Sequence, residues 1–276
     1  MSRFSNSLAL ARSSWQVLKA DKELILLPII SGIASVIVAI TFIVPVFVAG
    51  AGDGTMTGTS LLALLPMYFV LAYITIFFNA ALVSAANERL EGGDPTIGSA
   101  IRGAAGRAGK IVPWALLSAT VSIILRAIEE RVGLIGRIII AAVGVAWSVL
   151  TFLVLPIIVI EGSGARAALK KSGSLLRNTW GENLAAQVGM GLLGFLLILP
   201  GGVVIFLGIS AGGAIGAVGF LIGVIWIIVA AASVAALSAI YQTALYHFAV
   251  AGSVPSGYFD SDAMQMAFRT KRGRRR

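Results

Sequence analysis

The chain has no cysteine and one histidine, His247. Without thiols there is no disulfide, no thiolate nucleophile and no cysteine metal site, and one imidazole by itself leaves zinc without a ligand set. Charge is also scarce. Charged residues make up 12% of the chain, where a soluble domain carries about 25%, so the side chains that normally form a water-facing surface are largely missing. The metalloprotease string HExxH and the phosphate-cradling GxxxxGK[ST] do not occur. A single GxSxG runs from Gly208 through Ser210 to Gly212. A hydrolase elbow needs a strand-to-helix turn at that serine, and this serine lies in a glycine-rich apolar stretch of a chain with 32 glycines, so the match is read as chance. No pair of acids falls inside an apolar run, which leaves an intramembrane aspartyl dyad or a carboxylate proton path unsupported. No cofactor is implied, and the chain is read as non-enzymatic.

What is present in excess is apolar length. Hydrophobic residues make up 58% of the chain. A bilayer core about 30 Å thick needs roughly 20 apolar residues per helical span. Runs of that kind fall at about 25–48, 61–82, 111–128, 138–160, 184–207 and 217–245. The third is the weakest, being short and ending in Arg126, Glu129, Glu130 and Arg131. The stretch Ile25 to Ala49 exceeds the roughly 7–15-residue core of a signal peptide and is read as a span that stays. The expected fold is all-α: a polytopic helix bundle of six transmembrane helices, with one integral membrane domain over 1–250 and a polybasic tail over 251–276.

The net charge of +9 would suit nucleic acid, but the cations sit at the flanks of apolar runs, where they set orientation and meet anionic lipid. Nucleic acid is therefore not an expected partner. With the N-terminus in the cytoplasm, Arg3, Arg12, Lys19 and Lys22 lie inside, as do Arg89, Arg102, Arg107 and Lys110, then Arg166, Lys170, Lys171 and Arg177, then the six cations from Arg269 to Arg276. Only Arg126, Arg131 and Arg137 of the 21 fall outside. The positive-inside rule favours this threading, a plasma-membrane location and two cytoplasmic ends. Three short spans between Glu182 and Asp260, a stretch with no charged residue, would put the basic tail outside; two spans with an uncharged turn near 208–216 fit better.

Each span pair is preceded by a segment with apolar residues at helical spacing. These are Phe4, Leu8, Ala11 and Trp15; then Ile97, Ile101, Ala104 and Ala108; then Ala165, Leu169, Ser172 and Leu176. Opposite them stand Arg12, Ser13, Ser14 and Gln16; Arg102, Arg107 and Lys110; and Arg166, Lys170 and Arg177. An apolar stripe with a basic opposite face suits a helix in the headgroup plane. Asp94 followed by Pro95 reads as a helix start, Ser163 as a cap, and Gly181 as a stop. Trp15, Trp114 and Trp180 lie where each segment meets its span, a depth that suits an apolar ring with a polar N–H. Three divergent helix-plus-hairpin repeats, or simply three basic loops of a polytopic protein, both account for this pattern.

Within the spans, Gly208, Gly212 and Gly216, and Gly219 and Gly223, recur at intervals of four, a spacing that lets helices approach closely. Pro200-Gly201-Gly202 marks either a kink or end of span five or a broken helix at a solute site. Five polar or aromatic residues are structural or functional candidates: Asn79, Arg126, Glu161, Trp180 and Glu182. Asn79 is read as bonding a neighbouring helix or a solute, Arg126 as snorkelling or pairing with Glu129 or Glu130, and Glu161 and Glu182 as pairing with nearby cations.

The stretches Phe78-Asn79-Ala80-Ala81-Leu82, Leu90-Glu91-Gly92-Gly93-Asp94-Pro95, Ser14-Trp15-Gln16-Val17-Leu18 with Asp21-Lys22-Glu23-Leu24, Thr179-Trp180-Gly181-Glu182 and Ala244-Leu245-Tyr246-His247-Phe248-Ala249 with Val254-Pro255 resemble an uncharacterised prokaryotic family of multi-span membrane proteins, a domain of unknown function. The resemblance implies membership and no activity. More distantly, the layout is similar to the membrane-anchoring domain beside some glycerophosphodiester phosphodiesterases, without their catalytic domain. Two functional readings follow. In the first, cytoplasmic amphipathic helices bind anionic membrane lipid or an unidentified protein partner, and a homo-oligomer is compatible with it. In the second, the bundle is a transporter or channel for a small solute or lipid. An intramembrane enzyme would need distant polar residues such as Asn79, Arg126 and Gln187 to converge.

Overall fold

The computed structural model describes residues 3–50, 58–176, 180–254 and 259; within its helices the side chains of 3–11, 46–50, 58–64, 180–190 and 193 are not described. The described chain is helical throughout. It comprises α1 (Arg3–Ala20), a 3-10 turn (Lys22–Ile25), α2 (Leu26–Gly50), α3 (Gly58–Leu90), α4 (Ile97–Ala105), α5 (Ala108–Glu129), α6 (Leu134–Thr151), the single turn α7 (Val154–Pro156), a π-helical turn (Ile157–Glu161), α8 (Ala165–Leu176), α9 (Trp180–Ala211) and α10 (Gly213–Ala251). Six helical segments are long and apolar enough to cross a membrane: Lys22–Pro45, Leu65–Leu90, Ala108–Glu129, Leu134–Glu161, Gly194–Ala211 and Gly213–Ala251. Helices are the solution here because a bilayer offers backbone N–H and C=O groups no other partner.

The order short helix, span, span recurs three times. Its first element is α1, then α4, then α8. Each second span stops at a glycine of left-handed φ: Gly92 at +90°, Gly162 at +68° and Gly252 at +73°. Only glycine adopts that conformation without a Cβ penalty, and it frees the chain to turn back across the bundle end. These three stops and the three short helices lie at one end, called here the basic end; the turns at Glu130–Gly133 and at Gly212 lie at the other, the hairpin end.

The buried core sits at the basic end. Val17, Leu18, Leu24 and Leu27 meet Ala80–Ala86 and Leu90 of α3, Ala100 and Ala104 of α4, Leu153–Val159 of span four, Ala168 and Leu176 of α8, and Ala236–Tyr246 of α10. Several expectations are corrected there. Trp15 is exposed and stacks under Lys19, whereas Ser14, Val17 and Leu18 are buried, so Trp15 is not on the buried face of α1; the side chains of Phe4, Leu8 and Ala11 lie outside the described ones. The apolar stripes of α4 and α8 pack against the bundle, through Ile97, Ile101, Ala165 and Leu169, leaving little apolar face for lipid. Trp114 is buried and stacked on Trp147 at 6.2 Å. Thr96, not Asp94, caps α4: its hydroxyl accepts from Ser99 N–H at 3.1 Å while Ser99 Oγ accepts from Thr96 N–H at 2.9 Å. Ser163 turns its hydroxyl to Glu161 at 3.4 Å, and Gly181 lies inside α9 instead of ending α8. The polybasic tail lies outside the described residues.

At the hairpin end α9 and α10 run closely together. A Cβ on Gly208 would stand 2.8 Å from Phe220 N and 2.9 Å from Gly216 O; one on Gly223 would stand 2.7 Å from Gly201 O. The glycine spacing is thus a close-packing seam. Helix α9 continues through Pro200-Gly201-Gly202, so the stretch does not split it into half-helices. Trp226 Nε1 donates to Leu197 O at 2.9 Å, bonding a carbonyl in the turn before the proline. Ser210 is helical, with Oγ donating to Phe206 O at 2.8 Å, which is not an elbow geometry.

Candidate functional site

Two assemblies of polar residues stand out, a network at the basic end and a cleft above it. In the network, Arg89 near the end of α3 makes a bidentate pair with Asp21, ahead of the first span, and donates to Asp94 Oδ1 at 2.6 Å. A guanidinium fork matches a carboxylate in this way. One side chain thereby joins two segments of the chain that are far apart in sequence. Glu88 accepts from Ser99 Oγ at 2.8 Å, linking the end of α3 to the start of α4. His247 is 2.7 Å from Asn87 Oδ1, and Tyr246 packs edge-on against the histidine ring.

Span four ends in the same network. Glu161 Oε1 takes Lys171 Nζ at 2.5 Å and Tyr246 OH at 2.5 Å. Arg107 Nε donates to Val159 O at 3.2 Å, and Lys110 Nζ donates to Gly162 O. Two cations at the start of α5 therefore cap the last carbonyls of span four, where the helix dipole leaves partial negative charge. The sequence pattern placed Arg107 and Lys110 on a solvent-facing stripe; their partners are backbone oxygens 52 positions away, which no local spacing reveals.

The irregular backbone of span four opens the cleft. After Thr151 the α-helix gives way to a turn, a single α-turn and a π-turn. Pro156 contributes no N–H, and its ring pushes against the carbonyl of the preceding turn. Ser172 of α8, fully buried, fills the gap: Oγ donates to Leu150 O at 2.6 Å and accepts from Leu153 N–H at 3.3 Å. A serine in an otherwise apolar stripe was the sequence sign of this insertion, and it read as part of the stripe.

Beside this break lies a cleft of about 550 Å³. It is walled by apolar side chains such as Val83, Trp114, Phe152, Leu155 and Val234, and carries the polar groups Asn79, Ser148, Thr151, Ser238, Tyr241 and Gln242. Ser148 and Thr151 satisfy themselves on carbonyls of their own helix. Among the described residues, Asn79 and Gln242 make no hydrogen bond, and the Tyr241 hydroxyl is fully buried without a partner. Asn79 and Tyr241 lie 11 and 10 residues before the last residues of their helices, Leu90 and Ala251, which places them about 15–16 Å above the basic end. Irregular backbone at membrane depth is tolerated where it lines a cavity, and an unpaired buried hydroxyl such as that of Tyr241 is rare enough to call for a partner.

The five sequence candidates separate. Asn79 lines the cleft and Glu161 sits in the network. Arg126 is exposed at the hairpin end and makes no ion pair among the described residues. It lies 12 residues beyond Trp114 on α5, about 18 Å along the axis, so it does not converge with Asn79. Trp180 opens α9 and Glu182 lies in its first turn; their side chains, and that of Gln187, lie outside the described ones. Tyr241 and Ser172 are the residues that sequence reasoning missed. No group of three or more metal-ligating side chains occurs among the described residues.

Residues 58–257 match the sequence model of a family of unknown function, DUF6159, and the chain belongs to that family. No curated protein and no solved structure matches it.

Proposed function

We propose that this DUF6159 membrane protein holds a small guest molecule inside the bilayer, in the cleft between its spans, as a carrier or transporter of a solute or lipid. The observation that carries this reading is the buried Tyr241 hydroxyl, which has no partner, beside the half-buried amides of Asn79 and Gln242, which make no hydrogen bond among the described residues and line the same cavity. A polar group buried without a hydrogen bond, as the Tyr241 hydroxyl is, costs about 1–3 kcal/mol, a cost that a hydrogen-bonding guest removes. The role is non-enzymatic: the guest is held and released unchanged.

Native mass spectrometry of the full chain in mild detergent tests this. The wild-type protein should carry an added non-covalent mass, and Ala235→Phe, which fills the cleft from its wall, should lose it. Equal spectra for the two proteins would end the reading.

A second reading rests on a different surface. Arg12, Lys19, Lys22, Arg102, Arg166 and Lys170 are exposed at the basic end, and each such charge contributes about 1 kcal/mol against an anionic leaflet. In this reading the basic end faces the cytoplasm in the plasma membrane, with both chain ends on that side. Replacing the six cations by glutamine in the full chain should reduce the anionic lipid retained on purification. Unchanged lipid retention would remove this reading and leave the cleft untouched.

A further inference from the structure

Resting on the cleft reading above, the geometry points to the class of guest: we propose that the cleft takes an uncharged lipid with hydroxyl and ester-carbonyl groups, such as a diacylglycerol, which slides in sideways between span four and span five. Three observations converge on this. The first is where the cleft opens. Helices α6 and α9 touch only lightly, and the residues on the two sides of the opening, Ser148 and Gly191, are both exposed. A Cβ added at Gly191 would meet nothing within 4 Å. An opening between two spans faces acyl chains, not water, so the molecule that reaches it first is a lipid.

The second observation is charge. Among the described residues, no Asp, Glu, Lys or Arg lines the cleft. At the basic end, Arg107 and Lys110 are committed to the carbonyls of span four and Lys171 to Glu161. A phosphate drawn to this depth would be desolvated with no counter-charge, an arrangement that proteins avoid. A headgroup without charge carries no such penalty.

The third is chemistry. Each unpaired amide, Asn79 and Gln242, offers both donors and an acceptor, and the Tyr241 hydroxyl offers one of each. A lipid hydroxyl can give and receive a hydrogen bond, while ester carbonyls receive only, so a glycerol backbone with one free hydroxyl can pair with all three. The remaining wall, with Val83, Phe152, Leu155 and Val234, suits the first carbons of the acyl chains.

The test uses the full chain in phosphatidylcholine nanodiscs. One sample is doped with a diacylglycerol bearing a photoreactive diazirine on its acyl chain, the other with phosphatidylglycerol bearing the same chain. After illumination the cross-links are mapped by peptide mass spectrometry. The diacylglycerol should label the peptides around 148–155 and 234–242, with phosphatidylglycerol labelling them at least roughly five- to ten-fold less, as expected when a phosphate charge would have to enter the cleft without a counter-charge. Gln242→Leu should reduce diacylglycerol labelling by a similar factor. Tyr241→Phe, which removes one oxygen and preserves the packing, should reduce it by a smaller factor and guards against misfolding of the first variant. Equal labelling by the two probes, or labelling unchanged in both variants, overturns the lipid class. If the native mass spectra still show a guest that Ala235→Phe displaces, the cleft stands and only its occupant is wrong; if they show none, both fall.

Discussion

At the basic end of the bundle, helices are joined by side chains that reach across the sequence: Arg89 to Asp21 and Asp94, Glu161 to Lys171 and Tyr246, Ser172 into the break of span four. At the hairpin end the joints are made by absence of side chain. Gly208, Gly216 and Gly223 bring two backbones together while large residues point outward, with Ile215 80%, Leu134 77% and Ile135 76% exposed. The difference follows from the solvent. Apolar side chains gain nothing by leaving lipid for a protein interior, so burial alone does not choose partners within the membrane; close van der Waals contact and satisfied polar groups do. At the basic end, short helices cover the span ends, water contributes, and an ordinary hydrophobic core forms.

That contrast can be broken experimentally, and the largest effect is expected at the basic end. Arg89→Ala leaves the carboxylate of Asp21, only 6% exposed, buried without its partner, which should cost about 3–5 kcal/mol. Unfolding of the full chain in detergent mixed with a denaturing surfactant reads this directly; a loss under about 1 kcal/mol would mean the pair merely decorates the fold. Ser172→Ala should come next. It strips Leu153 N–H and Leu150 C=O of their shared partner, at about 1–3 kcal/mol for each group left dry, and faster hydrogen exchange confined to span four would identify the mechanism.

At the hairpin end, Gly208→Val must force α9 and α10 apart, for about 1–3 kcal/mol. Gly202→Ala, on the same helix but with nothing within 4 Å of the added Cβ, should be neutral or stabilising by up to about 1 kcal/mol. Equal thermal midpoints for the two variants would show that the glycine seam does not hold this end. An effect between those two is expected at Gly162→Ala. Its φ of +68° should cost an L-residue about 1–2 kcal/mol, and the new Cβ would crowd Arg107 Nη1 at 2.8 Å, contact that a flexible guanidinium relieves by moving. A reduced melting temperature with an unchanged cleft, judged by retention of the guest, is the outcome that fits.

Much of the site was within reach of the sequence, and the unread part has a common cause. Asn79 drew attention as a lone amide in an apolar run, and Glu161 as an acid beside cations. Tyr241 did not, because a tyrosine near the end of a span ordinarily belongs to the interface; only the packing of Phe152 against it and the break of span four leave its hydroxyl buried. The apolar stripes of α4 and α8 were legible in the sequence, and what it did not show is that they face the bundle; in α1 Trp15 was misplaced, since Ser14 and Trp15 are neighbours in sequence and opposite in environment.

Length and apolarity alone determined that the described chain forms six helices long and apolar enough to cross a membrane, because a backbone in lipid has no partner but itself. The placement of cations at the ends of the apolar runs likewise determined which ends of the helices gather together. Tertiary structure alone decided which cations are spent on carbonyls, which serine mends a broken span, and where amides and a hydroxyl are left facing one cleft. Those outcomes depend on contacts between residues tens of positions apart, and periodicity along a single helix holds no information about them.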